Sequence, residues 1–441
     1  MKNRLNAGSA GRVFLVLAAL GLAGCSLFED DEETLPGVRV PVRAIAEERM
    51  TPPDVAAQIN EIGQPTQNAS WTQVNGGPTH ALGHLAGPTS LSVAWRAKFG
   101  IGGERLTATP VIDGGRIYTL DSESKVSAFG TGGGAQWSRD LSPDDESSDD
   151  GFGGGLALDG GRLFVTTGFG QVIALDAASG EEIWRQKLSA PARAAPSVAG
   201  GVVIAIARDN NATAFSAEDG GIRWRVPGAT SGAGIYGGAS AAISPGGVAI
   251  LPFGSGELIA VRAANGQRLW SDVLSGGRRG LARSVISDIS ADPVIVGVAV
   301  IAGNQSGRLA AIDGRSGRRG WTRDFGARGP VWADAQTIYL ITDNAELKRL
   351  SAQDGSTLWS TTLTEFTDPE DREGAIAYGG PVLAGGRLIV TSGEGEVLTF
   401  DPMTGGRLSA TPVSGLSGLA PVVAGGVVYV LTDVGELVAL R

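Results

Sequence analysis

The chain of 441 residues contains a single cysteine and only two histidines. One cysteine excludes an intrachain disulfide and any metal site of the CxxC type. A Gly-x-Ser-x-Gly elbow and a Walker-type phosphate loop are also missing from the sequence. With one cysteine, two histidines and neither of these motifs, the sequence favours a protein that is not an enzyme.

Basic residues are also in the minority. Lys and Arg total 36 against 46 Asp and Glu, which gives a formal net charge of −10 at pH 7. Nucleic-acid binding depends on a basic surface that neutralises phosphates. The charge balance therefore argues against a nucleic-acid partner.

Only one apolar run precedes the main body, Val13–Leu22, and Lys2, Arg4 and Arg12 precede or flank it. A run of about ten residues is too short to span a bilayer, and this layout is typical of a secretory signal. Leu22-Ala23-Gly24-Cys25 resembles the bacterial lipobox. The resemblance implies cleavage before Cys25 and lipidation of that residue, and Ser26 after it implies export to the outer membrane. An ordinary signal with a chance cysteine is the alternative.

The segment that follows shows no sustained β alternation. It contains the acidic run Glu29–Glu33 and five prolines before residue 70. Such a composition predicts a flexible, solvated tether, and a metal site at the acidic run is the weaker alternative. We expect a signal peptide at 1–24, the lipidated cysteine and tether at 25–69, and a folded body at 70–441.

His80 and His84 lie at positions i and i+4, a spacing that zinc ligands use on a helix. The intervening glutamate of the HExxH motif is absent, and Gly83 interrupts any helix. The segment is better interpreted as a strand or cap that covers one end of the folded body.

Glycine is abundant, with 68 residues, and it falls in turns between short apolar runs. The stretch Gly155–Trp184 contains three such runs, and similar modules recur along the chain. A module this small cannot bury its own apolar faces and must pack against copies of itself. Most modules close on a tryptophan, and these residues are Trp95, Trp137, Trp184, Trp224, Trp270, Trp321 and Trp359.

Successive tryptophans are separated by 42, 47, 40, 46, 51 and 38 residues, the period of a four-stranded propeller blade. The last module, Pro421–Arg441, stops after three strands, and the first strand, Val93–Phe99, has no module of its own. If this strand completes the last blade, the sheets close into a ring without free ends. The sequence therefore predicts an all-β, eight-bladed propeller of four-stranded antiparallel blades.

The recurring pattern Ala-x-Asp-x-x-(Ser/Thr)-Gly-x-x-x-Trp is clearest at Ala174–Trp184 and Ala311–Trp321. It resembles the PQQ-type tryptophan-docking propellers, in which the tryptophans pack between neighbouring blades. Dehydrogenases of that group carry adjacent cysteines against the quinone and a calcium site with a catalytic aspartate. This chain has no cysteine after Cys25. The resemblance implies the fold, and we expect no cofactor and no metal.

A lipobox, an acidic tether and eight such blades together resemble the BamB family, the propeller lipoproteins of the outer-membrane β-barrel assembly machinery. The resemblance implies a non-catalytic scaffold that binds the periplasmic domains of the barrel-forming subunit and assists outer-membrane protein insertion. It also implies a lipid-anchored location on the periplasmic side of the outer membrane. Nascent outer-membrane strands are a further possible partner, through the blade edges.

In that family two neighbouring loops carry a Leu-Arg-Gly-like stretch and a Ser-Asp-x-Asp stretch that grip the barrel-forming subunit. This chain has Ile235-Tyr236-Gly237 at the first place and Ser287-Asp288-Ile289-Ser290 at the second. Tyr236 replaces the arginine and Ser290 replaces the second aspartate. The resemblance implies partner-binding roles for Ile235, Tyr236, Arg283, Asp288 and Ser290.

Three other interpretations stay open on the sequence. A PQQ-dependent periplasmic dehydrogenase would share the repeat, and a periplasmic ligand- or polysaccharide-binding propeller would have an aromatic-lined central funnel. A purely structural envelope protein would have no specific partner. Loops that are long only because they are solvated are the alternative to a contact site at 226–239 and 271–291.

Overall fold

The computed structural model describes residues 61–441 apart from 104–105, 107, 149–150, 232–236 and 275–285. The expected signal peptide, Cys25 and most of the tether lie outside the described residues. Within the described residues, helix is limited to one 3-10 turn at Val74–Gly76, and no helix is long and apolar enough to cross a membrane.

Strand β1 (Val93–Lys98) precedes eight consecutive sheet modules. The first four sheets, here called blades 1 to 4, are four-stranded antiparallel meanders. Blade 1 comprises β2 (Val111–Asp113), β3 (Arg116–Leu120), β4 (Lys125–Gly130) and β5 (Ala135–Asp140). Blade 2 comprises β6 (Gly154–Asp159), β7 (Arg162–Thr167), β8 (Gln171–Asp176) and β9 (Glu182–Lys187). Blade 3 comprises β10 (Ser197–Ala199), β11 (Val202–Ile206), β12 (Asn211–Ser216) and β13 (Ile222–Pro227), and blade 4 comprises β14 (Ala242–Ile243), β15 (Val248–Pro252), β16 (Glu257–Arg262) and β17 (Arg268–Val273).

Blades 5 to 7 repeat this order, and blade 8 contributes three strands of its own. Blade 5 comprises β18 (Ile289–Val296), β19 (Ala299–Asn304), β20 (Arg308–Asp313) and β21 (Arg319–Arg323). Blade 6 comprises β22 (Trp332–Ala333), β23 (Thr337–Ile341), β24 (Glu346–Ser351) and β25 (Thr357–Thr362). A small hairpin of β26 (Phe366–Asp368) and β27 (Glu373–Ala375) precedes blade 7, which comprises β28 (Tyr378–Ala384), β29 (Arg387–Ser392), β30 (Glu396–Phe400) and β31 (Arg407–Pro412). Blade 8 contains β32 (Val422–Ala424), β33 (Val427–Leu431) and β34 (Glu436–Leu440).

The fourth strand of blade 8 is β1, which pairs antiparallel with β34. Trp95 lies opposite Ala439, and Ser92 and Arg441 exchange backbone hydrogen bonds of 2.8 and 2.9 Å. The predicted closure and the predicted eight blades are therefore confirmed. Pairing with β1 covers the edge of β34 that a three-stranded last blade would leave free.

Local sequence explains the tight turns within blades. Gly160 and Gly161 join β6 to β7, and both have positive φ, at 57° and 76°. Two consecutive positive φ angles define the two-residue hairpin turn that matches strand twist, and glycine adopts them without steric cost.

The second strand of a blade is buried on both of its faces. In β11 every residue is buried, whereas only the alternate residues Trp224 and Val226 are buried in the outermost strand β13. Burial is therefore continuous along the second strand, because each sheet lies between two neighbouring blades. Some of the buried positions there carry polar side chains, and Thr166 and Thr167 are fully buried.

Residues 66–86 form a cap over one mouth of the central channel. The cap contacts the first strand of every blade, or the residue next to it, in the order 8, 1, 2, 3, 4, 5, 6, 7. The contacts join Asn68 to Val423, Trp71 to Ile112, Thr72 to Leu158, Gln73 to Val198, Pro78 to Ile243, Thr79 to Ile295, Gly83 to Trp332 and Leu85 to Leu383. The circuit closes on itself, since Thr66 N donates to His84 O at 2.9 Å and Ala86 N donates to Thr66 O at 2.8 Å.

Candidate functional site

The two faces of the ring carry different connections. In an antiparallel meander, the connection from one blade to the next lies at the opposite end from the turn between its first two strands. The cap contacts the C-terminal ends of the first strands, which lead into the turns between the first and second strands. We call that side of the ring the cap face. The side formed by the connections between blades is called the loop face. The connections at 228–241 and 274–288 join consecutive blades there.

The structure places two of the five sequence-predicted contact residues. Ile235, Tyr236 and Arg283 lie outside the described residues. Asp288 and Ser290 lie at the start of blade 5, on either side of Ile289. Ser290 Oγ donates a hydrogen bond of 2.9 Å to Ala327 O and lines the central channel.

Asp288 is buried, with 2% of its surface exposed, and its carboxylate accepts a hydrogen bond from Arg193. Arg193 is 5% exposed and belongs to the connection between blades 2 and 3. Its Nη2 also donates to Ile289 O at 3.4 Å. Sequence reasoning missed Arg193. The available signal was a lone arginine inside the apolar run Pro191–Pro196.

The central channel contains a cavity of about 190 Å³, and Arg193 is among the residues that line it. Its wall is built largely from small residues at the starts of the first strands, including Gly154, Ala195, Gly238 and Gly379. Val74 and Asn75 of the cap line it as well. The cap therefore closes this cavity, here called the funnel, on the cap face.

Three polar side chains meet where the cap closes the funnel. Asp292 accepts hydrogen bonds from Ser240 N at 2.7 Å and from Asn75 Nδ2 at 3.3 Å. Burial raises the pKa of the Asp292 carboxyl, and burial lowers the pKa of His80. His80 Nδ1 is 2.8 Å from Pro293 O.

The two histidines hold the cap at different blades. Whereas His80 contacts blade 5, His84 Nε2 accepts a hydrogen bond of 2.9 Å from Gly386 N in blade 7. Among the described residues, no group of three His, Cys, Asp or Glu side chains is placed to hold a metal ion. The observed role of both histidines is to fasten the cap.

The repeated tryptophans contact the next blade in a common way. Each indole lies over a glycine in the turn between the third and fourth strands of that blade; these pairs are Trp95–Gly133, Trp137–Gly180, Trp184–Gly220, Trp224–Gly266, Trp270–Gly317, Trp321–Gly355 and Trp359–Gly405. From Trp137 onward, the indole N–H also donates to a carbonyl of the same turn, at distances between 2.8 and 3.2 Å. A Cβ at Gly180 would lie 2.7 Å from Trp137 Cε3, so only glycine fits.

Aspartates shape the turns that receive the indoles. Asp176 Oδ1 accepts hydrogen bonds from Ala178 N, Ser179 N and Ser179 Oγ at 2.8 to 3.0 Å. The bonds from Ser179 lower the pKa of the Asp176 carboxyl. Asp313 makes the same arrangement with Ser316, and its pKa is lowered for the same reason.

Blade 7 is the exception, because Ser409 stands where the other blades have tryptophan. The blade it faces is blade 8, in which β34 ends at Leu440 and β1 begins at Val93. The two chain segments meet there without a connecting turn. Ser409 is therefore at the one position in the ring where an indole has no turn to dock on.

A family model described as "Outer membrane protein assembly factor BamB" matches residues 122–361 and 348–441. The outer membrane protein assembly factor BamB of Yersinia pestis is 29% identical over 420 residues, covering 93% of each chain.

Solved structures share the fold. The crystal structure of BamB from Moraxella catarrhalis superposes with a TM-score of 0.68 at 17% identity, covering 80% of this chain and all of that one. A quinohemoprotein alcohol dehydrogenase from Comamonas testosteroni gives 0.65 at 15% identity, covering 88% of this chain and 84% of that one. At these identities the superpositions show the propeller alone, and the family model and the curated relative carry the assignment: the chain belongs to the BamB family of outer membrane protein assembly factors.

Proposed function

We propose that this protein is a non-catalytic scaffold in the assembly of outer-membrane β-barrel proteins. Its partner is the barrel-forming subunit of the assembly machinery, bound through that subunit's periplasmic domains. Membership of the BamB family is the observation that carries the proposal. The dehydrogenase alternative has the fold in its favour, but curated relatives across most of the chain carry the assembly-factor name.

The architecture supports a rigid scaffold. The ring is closed by backbone pairing between β1 and β34, and the cap fastens all eight blades. Closed, densely packed sheets with a capped channel keep the blades at fixed relative positions. A scaffold of this kind needs no conformational change to present a partner surface.

The proposed contact surface is the loop face at 228–241 and 274–288. Ile235, Tyr236 and Arg283 are the side chains proposed to meet the partner. The burial of Asp288 and its bond to Arg193 support a role for that residue under the surface, and Ser290 lines the funnel. Nascent outer-membrane strands are a second proposed ligand, through the outermost strands of the blades.

The proposed location is the periplasmic side of the outer membrane. Cys25 would carry the lipid, and several acyl chains at one end anchor a protein without a transmembrane helix. Residues 26–65 then connect the anchor to the cap, in which Thr66 pairs with Leu85.

Affinity capture from solubilised membranes tests the function. We expect the tagged wild type to retain the barrel-forming subunit, and the Tyr236→Ala/Arg283→Glu double variant to lose it. Arg318→Glu is the matched control, because Arg318 is exposed in the turn between β20 and β21 on the cap face. Failure of the wild type to retain the subunit would contradict the function. Retention by the double variant would contradict the contact residues alone.

Membrane fractionation tests the location separately. The wild type is expected in the outer-membrane fraction, and Cys25→Ser is expected to leave the uncleaved precursor in the inner-membrane fraction. Cofractionation of Cys25→Ser with the outer membrane would contradict lipid anchoring at this residue.

A further inference from the structure

Arg193 lies where the ends of the two proposed contact loops converge. Its guanidinium bonds to Asp288, the last residue of the 274–288 connection, and packs directly against Gly238, near the end of the 228–241 connection. A Cβ at Gly238 would lie 2.3 Å from Arg193 Nε, so the loop backbone approaches the guanidinium as closely as glycine allows. One side chain from a different connection thus contacts both loops.

The backbone and the guanidinium of Arg193 are both fixed by neighbouring groups. Its backbone N–H donates to Ile206 O at 3.1 Å, which joins it to the end of β11 in blade 3. On the other side of the guanidinium, a Cβ at Gly254 would lie 2.9 Å from Nη1. The planar group is therefore enclosed by two glycines and one carboxylate, a shape that the compact lysine ammonium cannot reproduce.

Asn210, also from blade 3, holds the opposite end of the first loop. Its Nδ2 donates to Ala229 O at 2.8 Å and to Ser231 Oγ at 3.2 Å. Its Oδ1 accepts a hydrogen bond of 2.9 Å from Gly254 N. Blade 3 therefore fixes the start of the loop with an amide and the end with a guanidinium.

We infer that Arg193 is a positioning residue for the partner surface, fixing the described end of the 228–241 connection at Gly238 and that of the 274–288 connection at Asp288 relative to one another. This inference rests on the proposed function for its biological meaning. The positioning itself is a property of the isolated protein. It assigns to a buried, charged side chain a role in partner recognition without contact to the partner.

The test uses the detergent-solubilised full chain and two readouts. The first is trypsin cleavage under native conditions after Arg278, Arg279 and Arg283, which lie between Leu274 and Asp288 in the sequence. The second is the affinity for the purified periplasmic domains of the barrel-forming subunit. We expect Arg193→Lys to accelerate cleavage and to weaken binding, each on the order of tenfold. The lysine ammonium cannot replace the guanidinium between Asp288 and Gly238, so both loop ends lose the side chain that holds them.

Arg162→Lys is the matched control. Arg162 also bonds to backbone carbonyls across a blade boundary, those of Ala217 and Glu218, but it lies beside the hairpin turn of blade 2 on the cap face. Its replacement is expected to leave both readouts at the wild-type level. A second variant, Arg193→Met/Asp288→Leu, replaces the buried pair by apolar side chains and is expected to regain thermal stability relative to Arg193→Lys. In that variant, the affinity for the periplasmic domains and the protection from trypsin should stay low. If Arg193 served only the stability of the fold, both would return to the wild-type level together with thermal stability.

Equal cleavage of wild type and Arg193→Lys would overturn the positioning role. Accelerated cleavage with unchanged affinity would overturn its link to recognition. If the wild type does not bind the periplasmic domains at all, the proposed function fails, and the cleavage rates still decide whether Arg193 holds the loops.

Discussion

Trp71 of the cap stacks on Trp332 of blade 6, with ring centroids 6.1 Å apart and an interplanar angle of 18°. The indole N–H of Trp332 donates to Gly83 O at 2.8 Å, so the two ends of the cap meet at one residue. These are the two tryptophans that do not belong to the repeat series. Their pairing fastens the cap over the channel.

Replacing Trp332 tests how strongly the cap is held. Trp332→Ala removes a buried ring that is 2% exposed and should lower the free energy of unfolding by about 3–5 kcal/mol. Trp332→Phe keeps an aromatic ring against Trp71 and loses the N–H donor, so a smaller loss of about 1 kcal/mol is expected. Urea denaturation measures both values. Equal losses for the two variants would contradict a contribution from ring stacking.

The cost of disturbing an indole–glycine contact can be measured separately from the cost of a strained backbone. Gly180 and Gly160 both have positive φ, but a Cβ at Gly180 collides with Trp137, whereas a Cβ at Gly160 meets nothing within 4 Å. Gly160→Ala should cost about 1–2 kcal/mol for the left-handed conformation alone. Gly180→Ala should cost about 1–3 kcal/mol more, because the indole must move. Equal denaturant midpoints for the two variants would show that the Trp137 contact contributes nothing.

Ser409 offers a test of why blade 7 lacks its tryptophan. Since blade 8 has no turn at this place, we expect Ser409→Trp to leave the free energy of unfolding unchanged or lower. Trp359→Ser, at the equivalent position of blade 6, should lower it by about 3–5 kcal/mol. Calorimetry or urea denaturation of both variants is the measurement. Clear stabilisation by Ser409→Trp would contradict the explanation.

Ionisation of the Tyr339 phenol makes the free energy of unfolding depend on pH in the alkaline range. Burial raises its pKa to about 12 from an ordinary value of 10.0. Between these values the unfolded chain loses the phenolic proton while the folded chain keeps it, so the contribution of Tyr339 is complete below pH 10 and is lost as the pH rises toward 12. Tyr339→Phe does not titrate, and its stability relative to wild type should therefore rise steadily from pH 10 to 12. A constant difference across that range would contradict a raised pKa.

Much of the ring could be predicted from local patterns. The Gly-Gly turns, the apolar runs and the tryptophan period each repeat about every 40 to 50 residues, and the incomplete last module indicated that β1 would complete it. Repetition makes each pattern visible several times, so no single weak signal had to carry the prediction. The hairpin of β26 and β27 was not predicted, because its acidic residues have the composition of a loop.

The candidate site was less accessible to sequence reasoning. The 287–290 stretch could be identified by family resemblance, but resemblance does not report burial, and Asp288 lies under the surface in contact with Arg193. Nothing in the linear order relates these two residues, which are 95 positions apart and belong to different repeats.

The sequence by itself determined the number of blades, their closure and the packing of tryptophans between blades, because each depends on a short motif that repeats along the chain. Only the tertiary structure decided the path of the cap and the position of Arg193 between two loops. The physical reason is that both arise from single, non-repeating contacts between distant segments, which form once the ring has brought eight strand ends around one channel. The place of Ser409 in the repeat is visible in the sequence. The reason for the serine is visible only in the structure, where β34 and β1 meet in blade 8 without a connecting turn.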